Sequence, residues 1–267
     1  MIKQKHKKIT DIVGNLPYRI ALSGGWIDQP YVSKHNPSPP GSMVVVAVEP
    51  QFRWMDRCGI CGSTREIALK LWSNQLPGEP PEELVRQLYE IENRDKAEAS
   101  GSQDMVGIIY PGINRLDYDF NIHGGIFPAH IESNNDPDIA SWLGDVIHII
   151  PVGPRPDGYN PLGRKNFVPE WVARLGQSGK DCFEAIVNKN LEGLGAAMNE
   201  CMLCWHKILP DIVEHPTLKI DLLVLLEYYK SNYPGAMYSG CGGGYLYVVS
   251  RESVPGSFHM KVRISKK

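Results

Sequence analysis

Three glycine-dense turns, Ser23 to Asp28, Gly59 to Thr64 and Gly235 to Gly244, constrain this chain more than any other feature of it. Glycine tolerates left-handed backbone and the close approach of another main chain, so such runs between apolar segments mark sharp turns. Each follows or precedes a patterned element. Tyr18 to Leu22 is a short apolar strand that enters the first turn. Behind the second, Arg65 to Trp72 sets Ile67, Leu69, Leu71 and Trp72 among helix formers, which puts Ser63 or Thr64 at a helix start. A glycine turn that opens a helix offers unpaired N–H groups and the positive end of the helix dipole, an arrangement suited to phosphate. The turn has neither the Gly-Lys-Ser/Thr of a Walker A loop nor a G-x-G-x-x-G dinucleotide fingerprint.

Elsewhere strands and helices are mixed. The loop Gly25 to Gly41, with Pro30, Pro37, Pro39 and Pro40, is expected to be free of helix. Met43 to Val48 is a buried strand and Phe52 to Met55 a further one. Pro81, Glu82 and Glu83 open a helix that carries Leu84, Leu88 and Ile91 and reaches Asn93. Ile113 to Phe120 and Asp145 to Val152 read as strands, with a loop holding Asn134, Asn135 and Pro137 between them. Helical periodicity then marks Glu170 to Gln177, Lys180 to Lys189, Leu191 to Ile208 and Leu218 to Asn232. Gly235 to Gly244 breaks this as a loop, before strands at Tyr245 to Ser250 and Lys261 to Ile264.

With 28 basic against 30 acidic residues the formal charge is −2, which argues against nucleic acid or an anionic membrane as partner. Met1 to Lys8 is basic, but Asp11, Gly14 and Pro17 interrupt the segment after it, unlike a secretion signal. The longest apolar run, around Leu222 to Leu226, is too short to cross a bilayer, so a cytoplasmic location is expected. Without a secretion signal the six cysteines read as reduced thiols. The pairs Cys58/Cys61 and Cys201/Cys204, with His206 nearby, admit a structural zinc as a lesser reading, because the second pair lies in an apolar-patterned helix where cysteine packs as a small hydrophobe. His123 and His130 fall in a loop.

Pro17-Tyr-Arg-Ile-Ala-Leu-Ser-Gly-Gly-Trp-Ile-Asp28-Gln-Pro30, Gly59-Ile-Cys-Gly-Ser-Thr64 and Gly235-Ala-Met-Tyr-Ser-Gly-Cys-Gly-Gly-Gly244 together resemble the three motifs of the GHMP kinases. That family is named for galactokinase, homoserine kinase, mevalonate kinase and phosphomevalonate kinase. The first motif is most similar to the form found in kinases of fucose or heptose phosphate. The resemblance implies an α+β fold of two lobes: residues 1–152 like ribosomal protein S5 domain 2, and residues 153–267 like ferredoxin. ATP would lie between them. It further implies an ATP- and Mg²⁺-dependent kinase whose small-molecule substrate is a sugar or sugar phosphate, phosphorylated on a hydroxyl. On this resemblance Gly59, Cys61, Gly62, Ser63, Thr64, Gly240, Gly242 and Gly243 surround the nucleotide, and Ser63 and Glu92 hold the metal. Asp104, in Gly101-Ser-Gln-Asp104 and twelve residues after Glu92, takes the proton of the acceptor hydroxyl. Arg19 neutralises charge beside it, and Gly25, Trp26 and Asp28 contact the sugar. Cys61 and Gly62 stand where the family usually has glycine and serine, Arg65 adds a charge just past the turn, and the segment between the first two motifs is short. These departures leave two alternatives: a catalytically impaired regulator that binds nucleotide or sugar, or a kinase of a non-sugar alcohol.

Overall fold

A computed structural model describes residues 15–96, 99–214 and 220–265. The basic stretch Met1 to Lys8 and the expected helix start at Leu218 lie outside them.

Four strands, β1 (Tyr18–Ala21), β2 (Gly41–Val48), β3 (Ile113–Tyr118) and β4 (His130–Asn134), form an antiparallel meander in the order β1-β2-β3-β4. β2 is buried at all eight residues. Its unbroken run Met-Val-Val-Val-Ala-Val is what a strand covered on both faces requires, where a half-exposed one would alternate. Two helices pack on it, α4 (Gln103–Ile109) and α6 (Pro169–Val187). A second antiparallel sheet has the order β5 (Ile147–Gly153), β7 (Gly243–Val249), β6 (Gly235–Gly240). Helices α7 (Leu191–Ile208) and α8 (Leu222–Asn232) pack against β6. The architecture is therefore α+β with two lobes. β5 crosses the position where the lobe boundary is expected and pairs with β7 of the second sheet. The chain end touches both sheets, through bridges from Phe258 to Ile149 and from Val262 to Val48.

Several elements differ from the sequence reading, each for a local reason. The loop Gly25 to Gly41 contains a one-turn helix, α1 (Pro30–Ser33), because proline at a first helical position loses nothing by lacking its N–H. Phe52 to Met55 is not a strand. Phe52 and Trp54 turn into one aromatic cluster, ring centroids 5.0 Å apart, and the Met55 N–H donates to the Tyr245 hydroxyl at 2.8 Å instead of to a ladder. Lys261 to Ile264 shrinks to the isolated bridge at Val262. The expected loop around Asn134 to Pro137 instead ends β4 and starts α5 (Pro137–Val146). There the Asp136 carboxylate caps by accepting from the N–H groups of Asp138 and Ile139. His130 lies in β4 beside Asp117, and His123 in a one-turn 3₁₀ segment. Gly235 to Gly244 is not a loop but the β6–β7 hairpin. Helix α3 (Pro81–Asn93) has its expected span.

The two helices expected over residues 170–189 are one, α6, which runs straight through Ser178-Gly179. Glycine there costs helix propensity but admits β2: a Cβ at Gly179 would lie 1.9 Å from the Ser42 carbonyl oxygen, and one at Gly176 would lie 2.6 Å from the Gly41 Cα. Gly179→Val should destabilise the protein by about 3 kcal/mol or more in urea unfolding. Gly78→Ala, where a Cβ meets nothing within 4 Å, should change stability by less than about 0.5 kcal/mol. Equal midpoints for the two variants would disprove the close packing of α6 on β2.

Candidate active site

A cavity of about 340 Å³ opens where the three glycine turns converge. The second and third turns are pressed together. Gly59 has φ +74°, and a Cβ on it would sit 2.5 Å from the Ser239 carbonyl oxygen, while the Ser239 hydroxyl donates to the Cys58 carbonyl at 2.5 Å. The first turn is fixed from the other lobe: the Trp205 indole N–H of α7 donates to the Gly25 carbonyl at 2.9 Å, and its ring leaves no room for a side chain at Gly25. Among the described residues six non-glycines have left-handed φ, and three of these, Trp26, Arg57 and Cys61, line this cavity. Such backbone is costly for residues with a Cβ and collects where surrounding packing over-determines a site.

Helix α2 (Gly62–Trp72) points its N-terminus at the cavity, starting one residue before Ser63. Its N-cap, Cys61, provides no side-chain cap and no acidic residue stands in the first turn, so the first N–H groups are left for a ligand. The Cys61 sulfur turns to β1 and accepts from the Arg19 N–H at 3.1 Å. Burial pushes this thiol up to about 11, so it stays neutral beside any anion held here. Arg65 faces away from the turn, donating to the Leu16 carbonyl and stacked 4.2 Å from the Tyr18 ring.

Arg19 is buried, and its guanidinium pairs with Asp104 and reaches the Gly59 carbonyl at 3.4 Å. Its stem fits because Gly107 of α4 lacks a side chain; a Cβ there would lie 2.0 Å from the Arg19 Cγ. The Thr64 hydroxyl lies 2.5 Å from Glu92 Oε2 and 3.3 Å from Asp104 Oδ2. Glu92 also receives Lys96 at 3.0 Å. The hydroxyl that meets Glu92 is thus that of Thr64, whereas Ser63 is exposed on the cavity wall. The Thr64 hydroxyl and the Glu92 carboxylate are hard oxygens of the kind Mg²⁺ takes, while Asp104 is committed to Arg19. Among the described residues no three His, Cys, Asp or Glu side chains gather to hold a metal, so the two Cys pairs and His206 do not form a zinc site.

Arg19, Gly25, Trp26, Gly59, Cys61, Gly62, Ser63, Asp104 and Gly240 line the cavity; Thr64, Glu92, Asp28, Gly242 and Gly243 stand outside its wall. The Gly242 N–H is spent on the Ile212 carbonyl at 2.9 Å. Asp28 is fully buried, and burial raises its carboxyl to about 6 despite the nearby Arg19. Among the lining residues that sequence reasoning missed are Arg155, Trp205 and Gln103. Arg155, in the segment after β5, donates to Cys241 Sγ at 3.0 Å and to the Arg57 carbonyl at 3.1 Å. Trp205 is indistinguishable in sequence from a core position of an apolar helix. Gln103 had a signal, its place beside Asp104.

No protein-family model matches the chain, and no curated protein matches it by sequence. Solved structures do match. It is similar to Lactococcus lactis galactokinase complexed with galactose, with a TM-score of 0.67 at 12% identity, over 94% of this chain and 93% of that one. A mevalonate kinase gives 0.60 at 13% identity over 94% and 99%. A D-glycero-D-manno-heptose 1-phosphate kinase from Bacteroides thetaiotaomicron gives 0.52 at 12% identity over 94% and 95%. Near-complete coverage in both directions, by kinases that act on different alcohols, means that the whole chain, and not one lobe of it, has the fold of the GHMP kinases.

Proposed function

We propose that this protein is an ATP- and Mg²⁺-dependent kinase that transfers the terminal phosphoryl group to a hydroxyl of a sugar or sugar phosphate. The observation that carries this reading is the Arg19–Asp104 pair, set in the same cavity as the uncapped N-terminus of α2. In direct transfer the acceptor oxygen bonds to the terminal phosphorus as the bond to the ADP oxygen breaks, and the hydroxyl proton needs a base. Asp104 takes that proton. Arg19 neutralises charge on the transferring group, and the free N–H groups of α2 receive the phosphates. Thr64 and Glu92 are the residues that would hold Mg²⁺, which neutralises triphosphate charge when bound. A sugar is favoured by the likeness to a galactokinase bound to galactose and to a heptose phosphate kinase. No helix among the described residues is long and apolar enough to cross a membrane.

Asp104→Asn should lower ADP release by ~10²–10⁴-fold, while the Kd for ATP–Mg²⁺ in isothermal titration stays within about threefold. Nucleotide binding without turnover on any alcohol, in the unmutated protein, would instead identify a binding regulator. Glu92→Gln should raise the Mg²⁺ concentration for half-maximal rate by roughly tenfold or more; an unchanged requirement removes Glu92 from the metal site.

Asp28 adds a pH signature. With a folded value of about 6 against 3.8 for the free side chain, the folded state holds the proton more tightly than the unfolded one. The destabilisation is fully present above about pH 6 and is relieved as pH falls toward 4. Asp28→Asn should therefore raise stability at pH 8 by roughly 1–3 kcal/mol, with the advantage vanishing between pH 6 and 4 in denaturation curves. A gain independent of pH would show that the carboxyl binds its proton equally well in the folded and unfolded states, so that burial does not raise it.

A further inference from the structure

The amide of Gln103 is a half-satisfied polar group at the cavity. Gln103 is the first residue of α4, precedes Asp104, and lines the cavity wall. Its Nε2 donates to Asp28 Oδ1 at 3.2 Å, whereas its Oε1 is buried with no partner among the described residues. A carboxylate accepts and cannot donate, so the bond to Asp28 fixes which way the amide is turned: the nitrogen faces Asp28 and the oxygen faces away. Asp28 is held behind it. Gly101 lies so close to the carboxylate that a Cβ there would be 1.9 Å from Asp28 Oδ2, and Asp28 does not reach the cavity wall. Of the two, only Gln103 lines the cavity. The oxygen of a buried amide left without a donor is costly, and a donor brought by the ligand offsets that cost.

We propose that Gln103 binds the acceptor alcohol, its amide oxygen accepting a hydrogen bond from a second hydroxyl that neighbours the one at Asp104, and that Asp28 is the positioning residue that keeps the amide in that sense. The inference rests on the alcohol site proposed above, but not on turnover there. The substrate class is set by the donor count. Two consecutive side chains each accept a hydrogen bond from the substrate, Asp104 from the reacting hydroxyl and Gln103 from its neighbour. A polyol is therefore accepted, and an alcohol without the second hydroxyl is refused.

The test is a cycle that removes the hydroxyl and the amide in turn. Wild type, Gln103→Leu and Asp28→Asn are titrated calorimetrically with D-galactose, D-mannose and L-fucose and their monodeoxy analogues, with ADP release followed in parallel. For the hexose bound best by wild type, one deoxy analogue should bind at least ~10-fold more weakly. Gln103→Leu should weaken the parent hexose by a similar factor and bind parent and analogue alike, because each change removes the same bond. Asp28→Asn lets the amide invert, and should raise the hexose KM by a larger factor than it lowers kcat. If Gln103→Leu does not fold, Gln103→Met carries the same comparison. Unchanged discrimination in the Gln103 variant overturns the proposal, as does failure of every hexose to bind. Turnover of a monohydroxy alcohol with no hexose binding also overturns it, while leaving phosphoryl transfer standing and moving the acceptor to a non-sugar alcohol. Hexose binding without ADP release defeats the kinase reading alone, and the binding cycle still decides the role of Gln103.

Discussion

A buried arginine on an edge strand organises this molecule. Removing a guanidinium from water costs several kcal/mol unless it is paired and hydrogen-bonded, and Arg19, only 5% exposed, is held from three places in the chain, although its Nε has no partner among the described residues. Asp104 provides the countercharge, the Gly59 carbonyl accepts from the guanidinium, and Cys61 accepts the main-chain N–H. β1, the second glycine turn and the start of α4 are thereby locked to one another. The same bonds place the carboxylate that would take a proton beside the helix end that would receive phosphate. On the proposed reading, stability and chemistry share one side chain, so a substitution at Arg19 would affect both.

Close approach of main chains is the second constraint, and it is met by omitting side chains. Gly24 lies against Ser42, Gly59 against Ser239, and Gly179 against Ser42 again, each at a distance no Cβ would allow. Glycine is costly in a helix, yet at Gly179 it lets α6, from the carboxy-terminal half, lie directly on β2 of the first sheet. The lobes consequently share packing instead of meeting across a loose cleft. The chain end reinforces this, since Phe258 and Val262 bridge to β5 and β2 respectively. A cavity walled by residues of both sheets and of α7 keeps its shape only if those elements are fixed in this way.

The first two glycine turns, α3, α7 and the alternation of strands with helices were legible in the sequence because they rest on local rules: punctuation, capping and periodicity. What was not legible depends on partners distant in the chain. Phe52 to Met55 has the composition of a strand, but its rings find Tyr245 and Phe258 instead of a ladder. Ser178-Gly179 looks like a helix break, and its reason lies in a strand more than a hundred residues away. Gly235 to Gly240 has loop composition yet pairs with β7, since small residues let α7 approach: Gly195 and Gly235 meet so closely that a Cβ on either would collide with the other. At the site, the motif spacing brought Arg19, Asp104 and the second turn to one cavity, but the hydroxyl meeting Glu92 belongs to Thr64 and not to its neighbour. Adjacent residues on a helix point about 100° apart, and sequence alone does not say which of two consecutive hydroxyls faces inward. Arg155 and Trp205 reach the cavity from the other lobe, beyond any local rule.

The treatment of Asp28 shows how such a fold accommodates a group that opposes it. Burial pushes its carboxyl up to about 6, so at neutral pH the native state carries a charge that it would be more stable without. Asparagine at this position is expected to be the more stable above about pH 6, yet a carboxylate is fully enclosed here beneath Gly101. Ionised Asp28 can only accept, and among the described residues the amide of Gln103 is its close side-chain donor from another element. A neutral partner at 28 could present a donor as readily as an acceptor, and the amide would then have two orientations of similar energy. The charge removes that freedom, which is the kind of preorganisation a polar binding group needs before its ligand arrives. The instability carried by Asp28 is thus converted into a fixed direction for the amide oxygen of Gln103, the residue that immediately precedes Asp104.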